Sequence, residues 1–268
     1  MANGQDRVYA SVLGSHIDAV GWGDCLDRII GWASKRESRY VCMCNVHSVV
    51  TARRDSGFGA VINDADLAAP DGAPVAWRLR ALGYAGQQRI NGPDLMWKCC
   101  ARAAAEGLPV FLYGGTAVLL WRLSTRIQRY IPRLKIAGCY APPFRPLTPA
   151  EDAEVACTIE DSGARIVLVA LGCPKQEAWA AAHRGRIHAV MIAVGAAFDF
   201  HAGVTTRAPH WMREVGLEWL HRLATEPRRL WRRYLVTNTL FVAYLIAEAF
   251  RGGRRSVAGS RRSVAGGR

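Results

Sequence analysis

The sequence lacks the cysteine spacings that build disulfide frameworks or zinc sites. Its eight cysteines fall at positions 25, 42, 44, 99, 100, 139, 157 and 173, without a Cys-x-x-Cys pair or a Cys/His set at zinc-binding spacing. We therefore interpret them as buried free thiols, since Cys42, Cys44 and Cys173 lie in or beside apolar strand-like runs. Free thiols and an N-terminus without an apolar signal segment favour a reducing, cytosolic compartment.

Two further absences limit the function classes. No Gly-x-Gly-x-x-Gly is present and no acidic residue stands at the usual interval beyond a glycine turn, which gives little support to a dinucleotide cofactor. The apolar run Tyr234 to Phe250 has only seventeen residues and contains Thr237, Asn238, Thr239 and Glu248. It is typical either of an amphipathic helix on a membrane surface or of a helix docked on the protein's own core.

Acidic residues are scarce in the last third of the chain. The net charge is +13, and from Arg207 to Arg268 there are thirteen Arg and four Glu. Tryptophans interleaved with these arginines suit either anionic lipid head groups or nucleic acid. Because no recognised nucleic-acid module accompanies them, we expect a membrane surface as the partner and no nucleic acid.

Continuous apolar runs predict strands that are buried on both faces. Three such runs are followed by helix-like or turn segments in βα order: Leu108–Tyr113, Arg165–Leu171 and Ile187–Val194. Two shorter strand candidates are Tyr40–Cys44 and Asp66–Ala69. The pattern predicts an α/β fold with a Rossmann-like parallel sheet layered by helices. We expect an α/β domain over residues 1–206, a basic helical appendage over 207–250 with helices Trp211–Ala224 and Arg228–Phe250, and a disordered basic tail over 251–268, where RRSVAG occurs twice.

Asp71 is the most informative carboxylate of the sequence. It lies in the turn Pro70-Asp71-Gly72 after a predicted strand, where α/β proteins bind their ligands. It either caps its own loop or takes the proton of an attacking hydroxyl. The pair Asp64 and Asp66 has the Asp-x-Asp spacing of some metal sites, but its position at a helix end and a strand start favours capping.

Three other loops hold candidate binding residues. Gly114 and Gly115 follow a strand, and they indicate a phosphate site or a tight βα turn equally well. Lys175, Gln176 and Glu177 fall in the first turn of a predicted helix, where Glu177 complements the helix dipole and Lys175 opposes it, which points to an anionic ligand.

The loop Arg89–Asp94 contains one residue with an evident structural role and one without. Asp94 is the predicted N-cap of the helix Leu95–Ala105. Nothing structural requires Arg89, so it is a candidate for pairing with a diphosphate.

Seven segments, taken together and in order, resemble the WecG/TagA/CpsF family of bacterial glycosyltransferases, glycosyltransferase family 26. They span residues 40 to 235 and comprise Asn45–Val49, Ala65–Gly72, Arg89–Asp94, Val110–Gly115, Leu171–Glu177, Phe198–Pro209, and Leu217–Leu223 with Glu226–Leu230.

The resemblance implies an inverting transfer from a UDP-sugar to a polyprenyl-diphosphate-linked sugar, in the biosynthesis of cell-surface polysaccharides such as exopolysaccharide, capsule, teichoic acid or common antigen. It implies Asp71 as the base, no metal and no cofactor, and a peripheral position on the inner face of the plasma membrane. The predicted substrate-binding residues are Asn45, Arg89, Gly92, Asp94, Gly114, Gly115, Lys175, Gln176, Glu177, Arg207, Arg222 and Arg229. Met43 stands where the family generally has threonine, so one hydroxyl that could touch the substrate is missing.

Two other function classes remain open on the sequence. One is a nucleotide-sugar-binding α/β protein of other activity, such as an epimerase or dehydrogenase, which would need the missing nicotinamide fingerprint. The other is a basic module that binds membranes or nucleic acid without catalysis. The sugar, the acceptor, the pathway and the oligomeric state stay open.

Overall fold

The strands form one parallel sheet and one small hairpin. The computed structural model describes residues 7–260, and of residue 229 and residues 251–260 only the backbone. Its strands are β1 (Tyr9–Val12), β2 (Ser15–Asp18), β3 (Arg39–Cys44), β4 (Leu67–Pro70), β5 (Val110–Gly114), β6 (Ile136–Tyr140), β7 (Ile166–Ala170) and β8 (Val190–Ala193). β1 and β2 pair antiparallel, and the other six form a parallel sheet in the order β4-β3-β8-β7-β5-β6. The predicted Rossmann-like α/β class is therefore confirmed.

Helices cover both faces of the sheet and form the C-terminal end of the described chain. They are α1 (Trp22–Ser34), α2 (Val46–Arg54), α3 (Ser56–Asn63), α4 (Ala73–Ala81), α5 (Gly92–Ala105), α6 (Ala117–Tyr130), α7 (Pro149–Asp161), α8 (Lys175–Ala182), α9 (Ala197–Ala202), α10 (His210–Glu214), α11 (Glu218–Thr225) and α12 (Pro227–Ser260).

The sheet separates two apolar clusters, one on each face. Successive strand residues point to opposite faces, so Val167 packs in one cluster and Leu168 in the other, and both are fully buried. This burial on both faces is the reason why the central strands read as continuous apolar runs. Because the six strands run parallel, their carboxyl ends share one edge of the sheet, where the loops after them meet.

Several elements differ from the sequence prediction. The helix expected over Trp211–Ala224 is wrong, because Gly216, with φ +79°, separates α10 from α11. The last helix was expected to end at Phe250 and continues to Ser260, while residues 261–268 of the predicted tail lie outside the described residues. The hairpin β1–β2 and the edge strand β6 were not anticipated, since their short sequences carry no long apolar run.

The eight cysteines are all free thiols, but not all are buried. Cys139, on the edge strand β6, and Cys157, on α7, are exposed, and Cys173 is half-buried, so the prediction of burial was wrong for these three. An edge strand and the outer face of a helix leave side chains in contact with solvent. The remaining five lie in the core.

The long helix α12 docks on the protein's own core. It packs against α2, Leu230 and Phe241 are buried, and the guanidinium of Arg53 lies 5.9 Å from the ring centroid of Tyr244. Its outer face exposes apolar side chains, including Trp231, at 49% exposure, and Leu235, at 62%. Within residues 7–260, no helix combines the length and the apolarity needed to cross a membrane.

Candidate functional site

A large cavity opens at the carboxyl ends of the parallel strands. Its volume is about 1400 Å³, and its wall includes residues that follow β3, β4, β5, β7 and β8: Asn45, Asp71, Gly115, Gln176 and Gly195. Helices α11 and α12 contribute the opposite wall. The appendage therefore completes a site whose floor is the edge of the sheet.

Asp71 lines this cavity and comes directly after β4. Its backbone N–H donates to the carbonyl of Cys44 (2.9 Å), which joins the turn to the end of β3. The carboxylate accepts hydrogen bonds from Asn45 Nδ2 (3.4 Å, at Oδ2) and from the backbone N–H of Gly92 (3.3 Å, at Oδ1). Burial raises the pKa of Asp71, the neighbouring Arg89 opposes this, and the carboxylate of Glu218 reinforces it. A carboxylate of raised pKa is better suited to accept a proton than an ordinary aspartate.

Asn45 is oriented by its role as the N-cap of α2. Its Oδ1 accepts from the backbone N–H groups of His47 (3.0 Å) and Ser48 (3.2 Å). With the oxygen engaged, the amide nitrogen faces Asp71. The cap therefore fixes which end of the side chain meets the carboxylate.

Arg89 lies in the same cavity, but it is already paired. Its Nε donates to the backbone carbonyl of Asp71 (2.6 Å), and its Nη2 donates to Glu218 Oε2 (2.6 Å). The sequence offered no structural reason for Arg89, and the structure supplies one, because Arg89 bridges the turn at Asp71 and α11.

Asp94 and Arg207 lie outside the main cavity. Both line a neighbouring cavity of about 460 Å³, where Arg207 bonds the carboxylate of Asp94 and the Oδ1 of Asn91. The prediction that Asp94 caps α5 was wrong, since Asn91 is the N-cap and accepts from the Asp94 N–H (3.0 Å). Burial alone would raise the pKa of Asp94, but the hydrogen bonds from Arg207 and Asn91 lower this pKa to about 2.

The three polar residues that begin α8 have different environments. Lys175 is exposed and does not line the cavity, whereas Gln176 and Glu177 are buried and do. Gln176 Nε2 donates to Glu177 Oε1 (2.9 Å) and to the carbonyl of Ala193 (3.2 Å), and its Oε1 accepts from the N–H of Gly172 (3.1 Å). Burial raises the pKa of Glu177 to about 7, against the opposing hydrogen bond from Gln176.

The predicted glycines divide between the cavity and the sheet. Gly92 and Gly115 line the cavity. Gly114 is absent from its wall, and a Cβ there would lie 2.4 Å from the carbonyl oxygen of Ala170 on β7. With φ +120° at Gly114, the tight-turn explanation suffices for this position.

The appendage contributes cationic side chains to the cavity. Arg222 and Arg233 line it, and the guanidinium of Arg222 lies 5.5 Å from the ring centroid of Phe200. Of the predicted Arg229 the structure describes only the backbone. Met43 also lines the cavity, so the apolar side chain at this position faces the site.

The Asp-x-Asp pair lies away from the cavity. Asp64 is the C-cap residue of α3, and Asp66 pairs with Arg39 (2.7 Å) and Arg184 (2.8 Å) while accepting from the N–H of Tyr40 (3.0 Å). Asp66 thus links the starts of β3 and β4. Among the described residues, no group of three His, Cys, Asp or Glu side chains is arranged to hold a metal ion.

Glu218, His47 and Arg233 are among the cavity residues that were not sequence candidates. Burial, with Arg233 nearby, lowers the pKa of His47 to about 4, so its imidazole is neutral at physiological pH. A usable signal existed for Glu218, because it is one of only four acids among the thirteen arginines of the last third. For His47, which follows the Asn45 cap, the sequence carries no comparable signal.

A parallel sheet with a large cavity at the carboxyl ends of its strands defines a Rossmann-like α/β protein with its ligand site at the edge where that class binds ligands. The model of the WecG/TagA/CpsF glycosyl transferase family matches residues 10–255. The chain therefore belongs to this family of glycosyltransferases of cell-surface polysaccharide biosynthesis. The match is wider than the residues 40 to 235 that carried the resemblance, and it includes the hairpin and most of α12.

Proposed function

We propose that the protein transfers a sugar from a UDP-sugar to a polyprenyl-diphosphate-linked acceptor, with inversion and without a bound metal, at the inner face of the plasma membrane. The observation that carries the proposal is the Asp71 carboxylate, whose pKa is raised and which faces the cavity at the carboxyl end of β4. A single base is sufficient for one in-line displacement, by analogy with inverting glycosidases.

The reaction then requires one proton transfer and one bond exchange. Asp71 accepts the proton of the acceptor hydroxyl while the hydroxyl oxygen attacks the anomeric carbon of the donor sugar. The bond from that carbon to the β-phosphate oxygen of UDP breaks, and its electron pair leaves with UDP. Asn45 and the N–H of Gly92 hold the Asp71 carboxylate in place by their hydrogen bonds.

Cationic side chains of the cavity would stabilise the leaving diphosphate. Arg222 lines the cavity, and among the described residues its buried Nε has no hydrogen-bond partner. Arg89 uses N–H groups on Asp71, on Glu218 and on the carbonyl of Arg213, and the other donors of its guanidinium are left for an anionic group. Donors that are already positioned act where charge develops, which is why we assign them this role in preference to a metal.

The shape of the cavity supports a lipid-linked acceptor. The apolar residues that α4 and α12 contribute to the wall, which we call the apolar arm, are Pro74, Trp77, Ala81, Phe241, Val242 and Leu245; the polar Arg78, Thr237 and Asn238 line the cavity beside them. A hydrocarbon chain gains about 25 cal/mol per Å² when such a surface removes it from water. The polar end at Asp71 and the apolar arm together fit an amphipathic acceptor.

The test is UDP release by the purified protein with a panel of UDP-sugars and a short-chain polyprenyl-diphosphate sugar, with and without EDTA. Release that depends on the acceptor and survives EDTA is expected. Asp71→Asn should lower kcat by about 10²–10⁴-fold, because the base is lost while the side-chain volume is kept. Acceptor-independent release, loss of activity in EDTA, or an active Asp71→Asn protein would each contradict part of the proposal, and circular dichroism shows whether the variant is folded.

A further inference from the structure

Glu218 is a buried acid in the wall of the site, contributed by the basic appendage. It begins α11, is 7% exposed, and lines the cavity together with Asp71 and Arg89. Its Oε2 lies 2.6 Å from Arg89 Nη2, and its Oε1 lies 3.9 Å from Arg207 Nε. A buried carboxylate is costly unless it is paired, so these contacts hold α11 against the core.

Arg89 is held at three points. Its Nε donates to the backbone carbonyl of Asp71 (2.6 Å), its Nη2 donates to Glu218 (2.6 Å), and its Nη1 donates to the carbonyl of Arg213 (3.5 Å). Two of these three contacts come from the appendage. The position of Arg89 beside Asp71 therefore depends on the docking of α10 and α11.

We propose that Glu218 is a positioning residue of the transfer reaction, which holds Arg89 against the Asp71 turn. The inference rests on the proposed function for its catalytic meaning. It adds to the site an acid that the basic C-terminal part of the chain contributes.

The charges around Asp71 predict the direction in which its pKa should shift when Glu218 is changed. The titratable groups that face it are Arg89, from the loop before α5, Glu218, from α11, and the thiol of Cys44, at the end of β3. Arg207 lies beyond Glu218, and Arg207 pairs with Asp94. Glu218 favours the protonated form of Asp71, whereas Arg89 favours the ionised form. Loss of the Glu218 charge removes the first effect and frees Arg89 to strengthen the second.

Glu218→Gln is the sharpest variant, because it keeps the shape and an oxygen acceptor for Arg89 but removes the charge. In the pH dependence of kcat, the acid limb should move to lower pH by about half a unit. The value of kcat should fall about tenfold, since Arg89 is less firmly positioned. The matched control is Glu214→Gln, four residues earlier on α10, where the side chain is 65% exposed and pairs with His210; both quantities should stay at their wild-type values.

A second measurement separates this inference from the proposed function. Titration of the Asp71 carboxyl carbon by NMR, assigned with Asp71→Asn, needs no substrate and should show the same downward shift in Glu218→Gln. If the wild-type protein transfers no sugar, the proposed function fails while the titration still tests the contact.

An unmoved Asp71 titration in folded Glu218→Gln, with only a lower melting temperature, would show a purely structural role and overturn the inference. If Glu218→Gln does not fold, Glu218→Asp replaces it. That variant keeps the charge but is one methylene too short for the 2.6 Å contact, so kcat should fall. Wild-type kcat in this variant would overturn the inference.

Discussion

At the scale of single residues, Glu177 carries the clearest pH signature in the site. It is 1% exposed, and its pKa is raised from 4.5 to about 7, primarily by burial. The folded protein therefore holds the Glu177 proton more tightly than the unfolded chain does. The stabilisation of the folded protein by protonated Glu177 is fully present below about pH 4.5 and is lost as the pH rises to about 7. The free energy of unfolding therefore falls with pH across this window.

We expect Glu177→Gln to remove this dependence. A shift from 4.5 to about 7 corresponds to about 3 kcal/mol at most. Between pH 5 and pH 8, the free energy of unfolding of the variant should therefore rise relative to that of the wild type by up to this amount. Urea denaturation of both proteins at the two pH values measures the difference, in which the other titrating groups cancel. A difference that does not change with pH would mean that Glu177 is ionised in the folded protein.

At the scale of elements, Gly216 sets the geometry of the appendage. Its φ of +79° turns the chain between α10 and α11, and a Cβ would meet Ala73 Cβ at 2.9 Å and the Trp77 ring at 3.1 Å. This turn packs on α4, at one side of the apolar arm. The helical pattern alone does not divide the predicted helix at this glycine, because a single glycine inside such a pattern is also tolerated without a break.

Gly216→Ala should therefore displace the turn. The matched control is Gly163→Ala, with a similar φ of +72° but no atom within 4 Å of the new Cβ. Both variants carry the left-handed strain of about 1 kcal/mol, and only Gly216→Ala adds the steric overlap. Trypsin should cleave at Arg213 and Arg222 several-fold faster in Gly216→Ala than in Gly163→Ala. Equal cleavage rates would indicate that α4 yields without moving the turn.

The apolar arm between α4 and α12 makes a second prediction at this scale. Val242 lines the arm, and Val236, exposed on the same helix, does not. Val242→Glu should raise KM for a long-chain lipid acceptor about tenfold, which corresponds to the free energy of burying one valine side chain. KM for the sugar donor should stay unchanged. Val236→Glu should change neither, and initial rates with long- and short-chain acceptors measure both. If the two variants behave alike, the lipid chain does not bind in the arm.

At the scale of the whole molecule, the fold could be predicted from the sequence more completely than the site. Burial on both faces makes Ile166–Ala170 and Val190–Ala193 apolar along their whole length, and such a run can be recognised locally. The contact between Arg89 and Glu218 joins residues 129 positions apart. No local pattern encodes such a pair, so the sequence indicated Arg89 as a ligand for phosphate without showing that a carboxylate already holds it.

The distribution of charge and apolar surface over the whole chain predicts how it meets a membrane. Full-length protein should bind anionic vesicles more tightly than zwitterionic vesicles or duplex DNA at physiological salt, and the anionic preference should weaken as salt is raised. Trp231→Ser with Leu235→Ser, on the outer face of α12, should lower vesicle affinity at least tenfold at every salt concentration, because the apolar part of binding is not screened. Trp121→Ser, at a tryptophan 67% exposed on α6, is the control and should leave binding unchanged. Vesicle sedimentation measures all three proteins, and an equal loss in the control would show that α12 does not form the membrane contact. Tighter binding of the protein to duplex DNA than to anionic vesicles would contradict the membrane surface as its partner.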